Sequence, residues 1–290
     1  MESAMHEKLT AILEKSSSPD AMRWLKEVIE SQQKSFERRP FYYAFSGVSR
    51  HFDKRGGLEV SEEDLSELNK ELSGFSIGNW DQFRLARVLL LLVLGGREKP
   101  VFLETVAALL NTADIREQTA IFSAFPLLPH PEELVETAVD GLRTNIVDIY
   151  DSIALNNPFP SQHFSDEAWK QMVLKSFFIE RPLHRIYGID YRANANLSES
   201  LSNLAHERWA AGRWVSPELW RSCANFLTDE MVENITRVAG TDEPGQKEAA
   251  ALVLAGDEEG KLDHIRDQVK TFLDDVADGR LTWDSLGEQL

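Results

Sequence analysis

The apolar residues of this chain recur with the period of an α-helix, and this pattern limits the fold more than any other feature. Met22, Leu25 and Val28 lie three residues apart, as residues on one face of an amphipathic helix do. β-branched residues seldom alternate with polar residues, and Gly and Pro fall between the periodic segments. The sequence therefore predicts an all-α fold.

Capping and turn residues predict where the helices begin and end. Ser18 begins a helix that ends before Pro40, because proline disfavours helical backbone in the residue before it. Ser61 begins a helix whose first turn is acidic, and Asn79 or Asp81 caps the next helix. Further helices are predicted over 41–52, 100–110, 115–125, 131–142, 146–155 and 248–255, with Asn194 or Asn196 capping one that starts near Leu197.

The predicted helices form an ordered series around one apolar element. Leu85–Leu94 is apolar nearly all round, so we expect other helices to enclose it as the central core helix. Helix pairs recur about 35 to 45 residues apart, which is typical of HEAT-like α-solenoids of stacked antiparallel helix pairs. No repeated residue motif accompanies this spacing, so a helical bundle is the alternative. We expect an N-terminal helical repeat region (1–145), a motif region (146–223) and acidic C-terminal helices (224–290), all in one continuous domain.

The net charge of −17 limits the partners of the protein. It arises from 31 basic and 48 acidic side chains, which repel phosphate backbones and anionic lipid headgroups. We therefore expect no nucleic acid partner and no direct membrane insertion. The single cysteine, Cys223, excludes an intramolecular disulfide, and the N-terminus lacks the pattern of a signal peptide. These features favour a soluble protein in the cytoplasm.

Residues 145–223 differ from the rest of the chain in composition. They carry 8 basic and 9 acidic side chains, so they are nearly neutral, and they hold four of the seven tryptophans. Polar side chains that can bind a ligand or transfer a proton lie among the aromatic residues of this segment. The distinctive pieces are Tyr150–Pro160, Trp169–Lys175, Ile186–Asn194, Ala205–Arg213 and Pro217–Arg221.

Together these pieces resemble the EboA family, whose members are small helical proteins encoded with bacterial gene clusters linked to the traffic of secondary metabolites. The resemblance covers roughly residues 146 to 221. It implies a cytoplasmic helper that acts beside other products of the cluster, including a membrane prenyltransferase-like protein and metal-dependent TIM-barrel-like enzymes. It implies no catalytic motif.

Several polar residues of this segment are candidates for ligand binding. Asp190 and Arg192 flank Tyr191 ahead of Asn194, and an acid, a guanidinium and an amide together can bind a polyol or a phosphate. Helix capping is the alternative role of Asn194. His206 can act as an acid or a base near neutral pH, or as a packed, hydrogen-bonded side chain.

Two further charged residues have both a binding and a structural interpretation. Asp151 is an acid on a largely apolar helix, and burial would require a partner such as Arg185, Arg192 or Arg208. Lys175 lies opposite the apolar stripe of its helix. It is solvated there, unless it faces a pocket in which it binds phosphate or carboxylate or forms a Schiff base.

The aromatic residues of the segment can form either a pocket or a core. Four tryptophans within a short stretch can line an apolar cleft for a ring-shaped or prenyl ligand, with two tyrosines supplying polar tips. Core packing explains each of them individually. These residues are Trp169, Trp209, Trp214 and Trp220, with Tyr187 and Tyr191.

The leading hypothesis is an accessory protein that binds or hands on a small secondary metabolite or its biosynthetic enzyme, and so supports metabolite export. The alternatives are an acid–base enzyme of isomerase or lyase type that uses Asp151 and His206, and a pure protein–protein adaptor. A Cys223 nucleophile is a minor alternative to a buried thiol.

The motifs of several enzyme classes are absent from the sequence. It has no Gly-rich phosphate loop, nucleophile elbow or metal-ligand spacing, so we expect no cofactor and no metal, and we favour binding over catalysis. The expected partners are a small metabolite and proteins encoded in the same gene cluster. The candidate ligand-binding residues are Asp151, Asn156, Trp169, Lys175, Arg185, Tyr187, Asp190, Arg192, Asn194, His206, Trp209, Arg213 and Trp220.

Overall fold

The computed structural model describes residues 2–53 and 56–290. Within these residues the regular structure consists of α-helices and short 3-10 helices, without a β-strand. Sequential helices pack against one another, so the predicted all-α fold with packed helix pairs is confirmed. A HEAT-like repeat stays a prediction.

The chain forms two compact units, Met1–Phe164 and Ser165–Leu290, called here the first and the second unit. The predicted division at residues 145 and 223 stays a prediction. The first unit contains α1 (Glu2–Ser16), α2 (Pro19–Lys34), α3 (Arg38–Gly47), α4 (Glu62–Glu71), α5 (Gln82–Leu92), α6 (Lys99–Thr112), α7 (Ile115–Ala124), α8 (Pro131–Gly141), α9 (Val147–Ala154) and α10 (Phe159–His163). The second unit contains α11 (Asp166–Phe178), α12 (Ala195–Ala210), α13 (Asp229–Ala239), α14 (Gln246–Ala255), α15 (Arg266–Ala277) and α16 (Trp283–Gly287).

Helix α5 lies at the centre of the first unit, as its all-round apolar sequence predicts. Leu85 and every residue from Val88 to Leu91 are fully buried, and the helix packs against α1 and α7. The side chain of Asp81 caps it by accepting a hydrogen bond from the Arg84 backbone N–H at 2.7 Å. The helix ends at Leu92, and a 3-10 turn, Val93–Gly96, carries the chain to the surface.

The predicted helix from Ser18 begins there and ends before Pro40, as expected, although the proline does not set its end. The Ser18 side chain caps α2, but the helix stops at Lys34, well before Pro40. Pro40 instead lies in the first turn of α3, where proline is tolerated because its missing N–H has no partner within the helix. The residue before this proline is helical, which overrides its usual preference for extended backbone.

The second unit is organised around α14. Its residues Ala249, Ala250 and Ala251 are fully buried, and their small side chains allow α13, α15 and the 3-10 helix Pro217–Cys223 to pack closely. The helix predicted over 248–255 from its strong helix-forming residues is thus confirmed as part of α14. Among the described residues, the structure has no helix with both the length and the apolar character needed to cross a bilayer.

Candidate functional site

An ion pair joins two of the motif pieces in the second unit. Arg221 donates from Nε to Asp190 Oδ1 and from Nη2 to Asp190 Oδ2, both at 2.6 Å. A third hydrogen bond, also 2.6 Å, runs from Arg221 Nη1 to Asp284 Oδ1 in α16. Asp190, a predicted ligand-binding residue, is therefore held by a guanidinium that the sequence analysis did not single out. The signal for Arg221 was its place at the end of the last motif piece.

The other polar candidates around Asp190 also have partners within the second unit. The guanidinium of Arg192 lies 4.9 Å from the ring centroid of Trp169 and donates to Asp166 Oδ1 at 2.8 Å. Asn194 Oδ1 accepts a hydrogen bond from the Leu197 backbone N–H at 3.0 Å, so Asn194 caps α12. The capping interpretation of Asn194 is therefore confirmed, and its role as a ligand-binding residue stays a prediction.

Glu218 is a buried acid that the sequence analysis missed. It is 4 % exposed, and its carboxylate accepts hydrogen bonds from the backbone N–H groups of Leu183 and His184. The imidazole Nδ1 of His184 lies 3.1 Å from Glu218 Oε1. Three polar contacts satisfy the buried charge, as a charge in the interior requires. Only the position of Glu218 just after Pro217, in the first turn of a 3-10 helix, hinted at this role.

The tryptophans of the motif pieces pack mainly against protein groups. Trp169 and Trp220 are fully buried, and Trp220 Nε1 donates to Gln246 Oε1 at 3.0 Å. Trp209 stacks on Trp220 with 5.7 Å between ring centroids, and the Arg237 guanidinium lies 4.0 Å from the Trp209 centroid. Packing therefore accounts for the positions of these three rings, while Trp169 Nε1 has no hydrogen-bond partner among the residues that the structure describes. A ligand pocket in this segment stays a prediction.

The remaining candidates of the second unit lie at different depths. His206 is exposed on α12 and lies 2.8 Å from the Asn234 amide oxygen. Burial lowers the pKa of Lys175, which is half-buried. Tyr187 packs edge-to-face on Tyr191. Half-buried Arg185 and exposed Arg213 complete the set.

Asp151 and Asn156 belong to the first unit. They line a cavity of about 10 Å³ together with Arg84 and Trp80, and this volume holds about one water molecule. The carboxylate of Asp151 is close enough to act electrostatically on Arg84. Arg84 is therefore a charge partner of Asp151 that the sequence analysis did not consider.

Two of the arginines that the sequence analysis proposed as partners of Asp151 pair with other acids. Arg192 binds Asp166, and Arg208 lies 3.3 Å from a carboxylate oxygen of Glu180.

The first unit also contains an open cleft of about 580 Å³. Apolar side chains form most of its wall, and its volume lies in the range typical of small-molecule sites. The residues that line it come from separate segments of the chain. They are Met5, His6, Glu7, Gln33, Glu71, Leu72, Leu92, Gly95, Gly96, Pro126, Leu127 and Leu128.

His6 lines this cleft and also has a polar atom that is closed off from solvent. Its imidazole Nε2 is buried and has no hydrogen-bond partner among the residues that the structure describes. Burial lowers the pKa of His6, and the negative charge of Glu7 offsets this only in part. A neutral imidazole nitrogen can donate or accept a hydrogen bond, depending on its tautomer.

Gly95 and Gly96 form an open part of the cleft wall. Neither has a positive φ, so the backbone does not require glycine at either position. A Cβ atom added at either residue would meet no heavy atom of a packing neighbour within 4 Å. Neither backbone conformation nor packing therefore explains this glycine pair. These two exposed glycines leave this part of the cleft wall without side chains.

The sequence analysis named none of the residues that line this cleft. The one local feature in the sequence is the Gly95-Gly96 pair that follows the apolar run Leu85–Leu94. Among residues 2–53 and 56–290, no group of three or more His, Cys, Asp and Glu side chains is arranged to hold a metal ion.

Comparison with known proteins identifies one relationship. Neither the curated proteins nor the solved structures include a match to this chain. A family model described as metabolite traffic protein EboA matches residues 5–224 of the 290. The match therefore covers the cleft of the first unit as well as the motif pieces of the second. This protein belongs to the EboA family of metabolite traffic proteins.

Proposed function

We propose that this protein binds a small metabolite in the cleft of the first unit and hands it on to another protein of the same gene cluster. The cleft itself carries the proposal, because it combines a volume of about 580 Å³ with a mainly apolar wall. All residues of that wall lie within the part of the chain that the family model matches. Such a carrier would act in the cytoplasm, where the cluster enzymes make their products.

The polar candidate residues already contact other protein side chains, and this favours binding over acid–base catalysis as the function. Asp190, Arg192 and His206 each contact a protein side chain, namely Arg221, Asp166 and Asn234. An enzyme of isomerase or lyase type would need an acid and a base free to reach one substrate.

Handing on a metabolite requires contact with a second protein, and the second unit carries suitable side chains. Phe178, Tyr191 and Trp214 are 68, 63 and 43 % exposed, within or beside the motif pieces. Aromatic side chains are enriched at protein interfaces. They support the part of the proposal in which the protein meets its cluster partners.

Retention of metabolites by the purified protein tests the proposed function. The full chain is incubated with a metabolite extract of bacterial cells, separated by gel filtration and denatured, and the released compounds are measured by mass spectrometry. We expect the wild type to retain at least one compound. The variant Gly96→Trp, which fills the open wall of the cleft, is expected to retain at least about tenfold less of it.

Gly240→Trp is the matched control for this experiment. Gly240 is an exposed glycine in the second unit with a φ of −86°, and its Cβ position has only ordinary contacts, the nearest at 3.5 Å. This variant is expected to retain the compound as the wild type does. Equal retention by both variants would place the ligand outside the cleft. No retained compound at all would favour the adaptor hypothesis.

A further inference from the structure

We propose that a groove between α6 and α8 in the first unit is the docking site for an amphipathic helix of a partner protein, and that this helix carries Lys or Arg beside its apolar stripe. The groove has a volume of about 370 Å³. None of the described residues that line it also lines the cleft, so this inference goes beyond the proposed function and does not depend on it. An apolar stripe and a group of acids carry the inference.

One wall of the groove is an apolar stripe on α6. Its residues recur at positions i, i+3, i+4 and i+7, which is the spacing of a single helix face. They are Leu103, Val106, Ala107 and Leu110. The stripe extends about 10 Å along the helix axis, because each residue adds about 1.5 Å. The groove therefore offers about two turns of apolar helix surface to a partner.

Most of this stripe lies outside the face by which α6 packs into the core. Phe102 and Leu109 are buried and belong to the core face. Leu103 and Leu110 are half-buried, and Ala107 is exposed. A helix that packs on a core with one face is usually polar on the other faces. The second apolar face of α6 is therefore explained by a partner that covers it.

Helix α8 forms the opposite wall. It contributes Leu134 and Thr137, which lie three residues apart on one face. Apolar residues at helical spacing on two neighbouring helices form a groove of the kind that binds the apolar face of an amphipathic helix. The walls therefore fit a helix with apolar residues three and four positions apart.

The acids on the two helices indicate the charge of that partner. Helix α6 has one acid and one base, whereas α8 has four acids and no Lys or Arg. The ratio of five acids to one base exceeds the 48 to 31 of the whole chain. These acids are Glu104, Glu132, Glu133, Glu136 and Asp140. Complementary charge favours a partner helix with Lys or Arg, and disfavours a second copy of this acidic chain.

Some of these acids form ion pairs at the protein surface. Lys99 Nζ lies 2.5 Å from Glu133 Oε1, and both side chains are 43 % exposed. Arg38 pairs with Glu104, whose side chain is 61 % exposed. Exposed pairs of this kind contribute little to stability. Basic side chains of a partner can therefore share or replace them at little cost.

Three fluorescein-labelled peptides test the inference. The first has Leu at the stripe positions i, i+3, i+4 and i+7 and Lys at the others. The second has Glu in place of every Lys, and the third has the composition of the first in an order without a stripe. Their affinities for the full-length protein are measured by fluorescence anisotropy. We expect the first peptide to bind at least about tenfold more tightly than either of the others.

Two variants show whether the groove is the binding site. Ala107→Arg places a long basic side chain in the apolar wall, and we expect it to weaken binding of the first peptide at least about tenfold. Ala277→Arg is the matched control, because Ala277 is an exposed alanine next to Asp278 in α15 of the second unit. It adds the same charge and is expected to change the affinity less than about twofold. Thermal melting verifies that both variants are folded.

Several outcomes would overturn the inference. The first is that the wild type does not bind the first peptide. The second is that the first peptide binds no more tightly than one of the other two. The third is an equal loss of affinity in Ala107→Arg and Ala277→Arg. Sedimentation tests for a second copy in the groove, and a wild-type dimer that Ala107→Arg converts to a monomer would also overturn the inference.

Metabolite retention separates this inference from the proposed function. We expect Ala107→Arg to retain metabolites as the wild type does, and Gly96→Trp to bind the first peptide as the wild type does. Loss of the retained compound in Ala107→Arg would show that the groove holds a small molecule, and would overturn the inference. Peptide binding by a protein that retains no compound would support the groove and count against the cleft.

Discussion

Arg221 donates two hydrogen bonds of 2.6 Å to the carboxylate of Asp190. This ion pair connects the motif piece Pro217–Arg221 with the motif piece Ile186–Asn194. The Arg221 side chain is only 9 % exposed, whereas that of Asp190 is 59 % exposed. A planar guanidinium can make this paired contact, and a lysine ammonium cannot. A third hydrogen bond connects Arg221 with Asp284 in α16, which lies beyond the residues that the family model matches.

We expect Arg221→Lys to lower the free energy of unfolding by about 1–2 kcal/mol, because the paired contact and one further charged hydrogen bond are lost. Denaturant unfolding measures the change. Arg280→Lys is the matched control, because Arg280 also pairs with two acids, Asp275 and Asp278, but is 62 % exposed. This control is expected to change stability little, since water screens exposed pairs. An equal decrease in the free energy of unfolding of both variants would show that the ion pairs of Arg221 stabilise the protein no more than those of Arg280.

Gly287→Ala and Gly96→Ala are expected to change stability in opposite directions. A Cβ atom on Gly287 would collide with His184 Nδ1 and would lie 2.7 Å from Glu218 Oε1. Because Glu218 is buried and held by several hydrogen bonds, we expect the Gly287 variant to lose about 1–3 kcal/mol. The space beside Gly96 is open, so alanine there is expected to add about 0.4–1 kcal/mol by restricting the unfolded chain. Thermal melting of both variants measures this, and a stabilised Gly287→Ala would contradict the close packing.

Burial of His6 predicts that stability decreases in mild acid. Its pKa is lowered in the folded protein, so the unfolded chain, with a histidine pKa of about 6.5, takes up the proton first as the pH falls. This contribution to stability is fully present above about pH 6.5 and is lost progressively as the pH falls through the folded-state pKa. Burial lowers the pKa of His163 as well, so His163 adds a dependence of the same sign.

The difference between wild type and His6→Gln isolates the contribution of His6. Unfolding by denaturant is followed from about pH 7 to pH 5, where the free imidazole titrates. We expect a shallower decline in His6→Gln, because His163 still titrates in that variant. Identical curves for the two proteins would mean that His6 is solvated rather than buried at the cleft wall.

Cys223 is expected to be inert in the folded protein. Burial raises the pKa of its thiol to about 12, and the side chain is fully buried in the second unit. At pH 8 we expect a thiol reagent to modify the native protein at least about a hundredfold more slowly than the denatured protein. A native rate close to the denatured rate would restore Cys223 as a candidate nucleophile.

The features that the sequence predicts well are local. Asp81 caps α5 through a backbone N–H three residues away, and Ser61 and Asp64 form a reciprocal cap at the start of α4. The apolar run that follows Asp81 requires burial on all sides, which identifies α5 as a core helix before any coordinates are known. Helix α2 ends before Pro40 as predicted, but the proline does not end it, because Pro40 lies in the first turn of α3.

The candidate site was less predictable because its parts are distant in the chain. The motif pieces drew attention to residues 146–221, and there the structure pairs Asp190 with Arg221 and Trp209 with Trp220. A sequence shows which side chains can form an ion pair or a stack, but the choice among partners depends on distances that folding sets.

The sequence by itself therefore determined the helical class of the protein, its main helix starts and the identity of its central helix, since these depend on interactions within a few residues. Only the tertiary structure decided which polar groups are satisfied and where a cavity remains. His6 and Gly96 are 90 positions apart in the numbering, yet both line the cleft. Their meeting at the cleft depends on tertiary packing such as that of α1 against α5, and such long-range packing leaves no local pattern in the chain.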